Sequence, residues 1–158
     1  MSEGTGQRPF FFVHVMKTAG ATFRQHIYNN FADGEVYPIK GVDDMFHANV
    51  SISYLLDRPA EQHANTRAYA GHFPYVASEM IGRDPITFTI LRDPVDRIVS
   101  YLKHAKVTHA QHADLELDEI YADRFYFDCF MHNHQVKMFA MERGDKLESY
   151  MDLSLIHI

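Results

Sequence analysis

The sequence predicts an α/β fold built on a parallel sheet, and three observations carry that expectation. Two short apolar runs, FFFVHV at 10–15 and ITFTIL at 86–91, are rich in aromatic and β-branched residues and have the length of buried strands. Each gives way abruptly to a turn-prone segment and then to helical periodicity, so strand and helix alternate along the chain. No internal repeat, low-complexity block or linker interrupts the 158 residues, which read as one domain over 1–158.

Taken in order, the first strand is expected over 9–15 and a helix over 21–31, joined by Lys-Thr-Ala-Gly-Ala-Thr. Such a turn at the carboxyl edge of a sheet gathers successive backbone N–H groups at a helix N-terminus, an arrangement that favours an anion. Lys17 adds a full positive charge there. A short extended piece near 35–39, helical material near 43–57, a strand over 67–70 and a helix over 74–81 follow.

The strand expected over 86–91 repeats the strand-turn-helix logic with different chemistry. Asp93 is a good N-cap and Pro94 suits the first helical position, so a helix is expected over 94–106. Val95, Ile98, Val99 and Leu102 are expected to face inward. Arg92 stands just before the cap and Ser100 lies on the helix, so a guanidinium and a hydroxyl can meet one phosphate group. From 115 to 140 the residues Leu117, Ile120, Tyr121, Phe125, Phe127, Phe130, Met138 and Phe139 suit helices packed on the sheet, and the acidic stretch 114–123 reads as a solvated helix face.

Composition narrows the function classes. The 15 Lys and Arg against 21 Asp and Glu give a net charge of −6, which argues against nucleic acid and, less strongly, against a long polyanionic glycan as partner. The single cysteine, Cys129, cannot form an internal disulfide, so a reducing compartment is permitted. With no run of 18 apolar residues and no charged-then-apolar leader, a cytoplasmic protein without a membrane span is the default expectation. The 11 histidines raise a metal site at His104, His109 and His112, or at His132 and His134. No His-Glu-x-x-His pattern appears and one cysteine cannot build a cysteine-rich zinc module, so no metal is expected. Oligomeric state leaves no mark on the sequence.

The first turn also differs from the nucleotide-triphosphatase loop, which needs Gly, four residues, then Gly-Lys-Ser/Thr. Here Lys17 precedes the small residues Ala19, Gly20 and Ala21, which disfavours standard ATP chemistry. A nucleotide kinase-like phosphotransferase would share the strand, loop and helix, but it calls for an acidic magnesium ligand at a strand end, where Leu91 is instead followed by Arg92.

Together HVMKTAGATF and LRDPVDRIVSY resemble the cofactor motifs of carbohydrate sulfotransferases of the heparan sulfate 2-O-sulfotransferase type, sulfotransferase family 2. The resemblance covers roughly 9–141 and implies a P-loop-like, three-layer sulfotransferase fold, a parallel sheet with flanking helices. It implies 3′-phosphoadenosine 5′-phosphosulfate (PAPS) as sulfuryl donor, without a metal. The loop residues Lys17, Thr18, Ala19, Gly20, Ala21, Thr22 and Phe23 inherit the 5′-phosphosulfate: Lys17 would stabilise the departing phosphate, the backbone amides of 18–23 would hold its oxygens and Thr22 would add a hydroxyl. Met16 stands where a proline is usual. Arg92 and Ser100 inherit the 3′-phosphate, and RAYAGHFPY at 67–75 resembles the Gly-His segment, which makes His72 the base for the acceptor hydroxyl. FMHNHQVKMFA at 130–140 is similar to an Asn-x-Gln element, with no role attached to Asn133 or Gln135.

The implied activity is in-line transfer of a sulfuryl group from PAPS to an acceptor hydroxyl, on a carbohydrate by family expectation and on another small molecule as a permitted case. A non-catalytic PAPS-binding protein would keep Lys17 and Arg92 without depending on His72. Plainer roles exist for each residue: a solvated turn lysine, an Arg92 ion pair with Asp96, a surface hydroxyl at Ser100, a histidine that merely caps a backbone carbonyl. Family domains run longer than this chain, so it reads as C-terminally truncated, with 151–158 a non-native tail.

Overall fold

A computed structural model describes residues 7–143; the tail at 151–158 lies outside the described residues. Strands β1 (Phe10–Val13), β2 (Val36–Tyr37), β3 (Ala68–Tyr69) and β4 (Ile86–Thr89) form one sheet in the order β2-β3-β1-β4, with every pair parallel. The sequence FFFV suits the central place of β1, because a strand hydrogen-bonded on both sides and covered on both faces meets almost no water. Phe11, Phe12 and Val13 are fully buried.

Alternate residues of β1 feed two cores, as the period of two along a strand requires. Phe11 and Val13 join Tyr37, Tyr69 and Phe73 on one face, packed under α2 (Met45–Val50), α3 (Ile52–Leu56), α5 (Tyr75–Met80) and Met138 of α9 (His134–Ala140). Phe12 and the partly buried Phe10 join Val36, Ala68 and Phe88 on the other, under Phe23 and Ile27 of α1 (Gly20–Asn30). Helices on both faces of a parallel sheet make the three layers that the sequence leads one to expect.

The sheet also fixes where a ligand can go. From β1 the chain crosses through α1 to the β2 and β3 side, while β4 lies on the opposite flank of β1. At such a reversal the loops leaving the carboxyl ends of neighbouring strands diverge and open a crevice. The β1–α1 and β3–α5 connections and the segment that leads from β4 into the helix Pro94–Thr108 all emerge there.

Several expectations need correction. The 43–57 helix is two, because Ser51 ends α2 and its side chain caps α3 by accepting from the Tyr54 N–H at 3.2 Å. The helix α4 (Ala60–Asn65) leaves no signal in the sequence, since AEQHAN carries no apolar stripe and buries nothing. Helix α6 (Pro94–Thr108) buries Arg97, Tyr101, Leu102 and Ala105, whereas Val95 and Val99 are exposed. Its buried stripe faces α7 (Leu117–Ala122), α8 (Arg124–Tyr126) and the π-helical turn Phe127–Met131 in a third core away from the sheet. The aromatic residues of 115–131 therefore pack on α6, not on the sheet, and Tyr121 and Phe139 are exposed. No helix among the described residues is long and apolar enough to cross a membrane.

Candidate active site

The β1–α1 loop is shaped by main-chain conformation. Lys17 and Ala19 both adopt positive φ (67° each), flanking Thr18, and such alternation turns successive N–H groups toward one side, the geometry of an anion nest. The buried Thr18 hydroxyl donates to the Val15 carbonyl at 2.9 Å and closes the turn. That engagement leaves Thr18 its main chain for a ligand, with its hydroxyl committed to the loop.

Helix α1 starts without a side-chain cap, because its N-cap is Ala19. By contrast, Asp93 caps α6 by accepting from the Val95 and Asp96 N–H groups at 3.0 Å each. The first-turn N–H groups of α1 are thus left open beside the cleft, where the helix dipole reinforces them. Phe23 departs from expectation. Its N–H already donates to the Ala19 carbonyl at 3.3 Å, and its ring packs on Phe12 and Phe88. Thr22 is exposed on α1 and, like Thr18 and Phe23, is not among the residues that line the cleft.

Those that do are Lys17, Ala19, Gly20, Ala21, His72, Arg92 and Ser100, brought together around about 400 Å³ with His14, Met16 and His104. Neither Lys17 nor Arg92 has an ion-pair or hydrogen-bond partner for its side chain among the described residues, so the Arg92–Asp96 pair is not formed. Burial, and then the Arg92 guanidinium, hold the Lys17 ammonium below the ordinary lysine range. Two cations facing one cleft with no acid between them make a site complementary to an anion.

His72 leaves β3 in a loop pinned from two sides. Its N–H donates to the Asn49 carbonyl of α2 at 2.7 Å, and Nδ1 lies 2.9 Å from the His14 carbonyl oxygen. A carbonyl only accepts, so Nδ1 carries the proton and Nε2 keeps its lone pair. The ring therefore makes the carbonyl contact of a plain structural histidine and still presents a basic nitrogen. Burial lowers its pKa to about 4, with the Arg24 guanidinium acting in the same sense and the His14 carbonyl opposing. Arg24 of α1 is itself held by the Asn49 side chain.

His14 is the residue that sequence reasoning missed. Its ring stacks on His72 with centroids 4.0 Å apart, and burial takes its pKa to about 2. A Cβ at Gly20 would sit 2.0 Å from His14 Cδ2 and 2.2 Å from Nε2. Gly20 has an ordinary negative φ, so it is the imidazole, not the backbone, that demands glycine here. His104 lies one turn beyond Ser100 on α6 and lines the same cleft. Among the described residues no group of three or more His, Cys, Asp or Glu is placed to hold a metal ion.

Fold and site together define a parallel α/β protein whose first strand, loop and helix bring Lys17 to a sheet crevice that Arg92 lines from the β4 side. The sequence model of the sulfotransferase family matches residues 5–153, nearly the whole chain, and the chain belongs to that family. Neither a curated protein nor a solved structure matches it.

Proposed function

We propose that this chain is a PAPS-dependent sulfotransferase that acts on a hydroxyl group, with a carbohydrate as the first acceptor class to test. The observation that carries the reading is the convergence of Lys17, Arg92 and His72 on one cleft at the open N-terminus of α1. The donor set fits a nucleotide bearing two separated anionic groups: an amide nest with an ammonium at one end, a guanidinium and a hydroxyl at the other. When bound, PAPS supplies a sulfuryl group carried on the oxygen of a 5′-phosphate.

The Lys17 ammonium and the amides around Ala19 to Ala21 neutralise negative charge that grows on the phosphate oxygens, the electrostatic contribution expected to dominate this kind of transfer. Arg92 and Ser100 hold the 3′-phosphate and so fix the nucleotide along the cleft. His72 takes the acceptor proton at Nε2. The His14 carbonyl, already bonded to Nδ1–H, stabilises the imidazolium as it forms.

The test is incubation with PAPS carrying radiolabelled sulfur and a panel of hydroxylated acceptors from monosaccharides to simple alcohols. Label transferred by the wild type and not by His72→Ala supports the reading. Nucleotide binding with no transfer to any acceptor supports a non-catalytic PAPS-binding protein instead.

A further inference from the structure

Arg92 lies in an irregular stretch between the end of β4 and the cap of α6, and its guanidinium reaches the cleft without a partner of its own among the described residues. What fixes it is behind the cleft. The Gln135 side chain accepts from the Arg92 N–H at 3.1 Å through Oε1 and donates to the Arg92 carbonyl at 2.9 Å through Nε2. A carboxamide carries the same donor and acceptor pair as a peptide group, so Gln135 treats Arg92 as a neighbouring strand would.

The arm that delivers Gln135 is firmly seated. Asn133 takes a left-handed conformation (φ 51°, ψ 25°), which an asparagine tolerates, and so redirects the chain from the π-helical turn into α9. His134 is buried and its Nδ1 lies 3.2 Å from the Cys129 carbonyl, while Met138 enters the core beneath the sheet. Gln135 projects from between these anchors.

We infer that Gln135 is a positioning residue for 3′-phosphate recognition: its carboxamide holds the Arg92 main chain so that the guanidinium meets the 3′-phosphate of the nucleotide. The inference rests on the sulfotransferase reading of Arg92. It makes selectivity for a 3′-phosphorylated nucleotide depend on a residue with no place in the cleft lining. Removing the clamp leaves Arg92 its charge but frees its backbone, so the loss falls on the 3′-phosphate alone.

The experiment is calorimetric titration of wild type, Gln135→Met, Arg92→Ala and the double variant with 3′-phosphoadenosine 5′-phosphate and with adenosine 5′-phosphate, which lacks the 3′-phosphate. Methionine keeps the length of the side chain and loses both hydrogen bonds; Gln135→Asn, too short to reach, serves if the methionine variant does not fold. Gln135→Met is expected to weaken the 3′-phosphorylated nucleotide about five- to fifty-fold, the scale of two neutral hydrogen bonds, and to leave adenosine 5′-phosphate unchanged. In the Arg92→Ala background the same substitution is expected to cost nothing further. Equal weakening of both nucleotides, no weakening of either, or full additivity with Arg92→Ala would overturn the inference. A wild type that does not distinguish the two nucleotides, or an Arg92→Ala that binds as the wild type does, would instead overturn the underlying reading of Arg92, and the Gln135 inference with it.

Discussion

The imidazoles of His14 and His72 lie face to face with centroids 4.0 Å apart, and the His14 carbonyl accepts the Nδ1–H of His72 at 2.9 Å. One residue thus supplies both the surface on which the proposed base rests and the acceptor that sets its tautomer. Replacing His72 with alanine is expected to lower kcat about 10²–10⁴-fold, the usual contribution of a positioned general base. In the wild type, kcat/KM should stay level on acidification from pH 7 and fall only as His72 protonates, near its pKa of about 4. An acid limb centred near 6.5 in the pH-rate profile would assign the proton to another group.

The buried histidines also tie stability to pH. His14 and His134 are neutral in the folded chain, with pKa values lowered by burial to about 2 and about 3, whereas the unfolded chain protonates both near the ordinary value of 6.5. Their folded pKa values lie below the unfolded ones, so the unfolded state binds more protons as pH falls. Stability is therefore full above about 6.5 and declines below it, by about 1.4 kcal/mol per pH unit for each such histidine. Urea unfolding at pH 7, 6 and 5 measures the slope, and His14→Phe is expected to make it shallower.

Gly20 and the His14 ring compete for the same space. Gly20→Ala would place a methyl group 2.0 Å from His14 Cδ2, so the ring must leave its stack on His72. A destabilisation of about 1–3 kcal/mol is expected for such overpacking, with a fall in kcat larger than the fall in nucleotide affinity. Thermal unfolding and steady-state kinetics on one preparation separate the two effects.

At Ala19 the expectation has the opposite sign. The residue holds φ 67° and ψ 13°, a left-handed conformation that disfavours a side chain. Ala19→Gly relieves that strain at the expense of a more flexible unfolded chain, for a net gain of about 0.5–1 kcal/mol. Chemical denaturation checks it, and unchanged or lower stability would show that the loop bears no strain at this position.

The strand-loop-helix units were legible because their chemistry is local. Lys17 follows β1 by four residues, and Arg92, Asp93 and Pro94 announce the end of one element and the start of the next. What escaped depends on contacts between distant segments. The His72 contact with His14 spans 58 residues and the Gln135 clamp on Arg92 spans 43, and neither leaves a periodicity to read. The inward face of α6, expected as Val95, Ile98, Val99 and Leu102, holds for Ile98 and Leu102 and fails for Val95 and Val99, for a related reason. Apolar spacing alone favours Val95 and Val99, but the third core recruits the Arg97, Tyr101 and Ala105 stripe, where the Arg97 guanidinium donates to the Phe130 and Met131 carbonyls at 2.7 and 3.1 Å. A buried arginine among apolar residues becomes visible only once the carbonyls it satisfies are in place.

On the proposed function, one cleft binds a 3′,5′-bisphosphorylated nucleotide between Lys17 and Arg92. Calorimetric titration with 3′-phosphoadenosine 5′-phosphate tests it most directly, run beside Lys17→Met, Arg92→Ala and ATP with magnesium. Micromolar binding by the wild type, lost in both variants and not reproduced by ATP, is the predicted result; no binding, or tight binding of magnesium-ATP that survives Arg92→Ala, would contradict it.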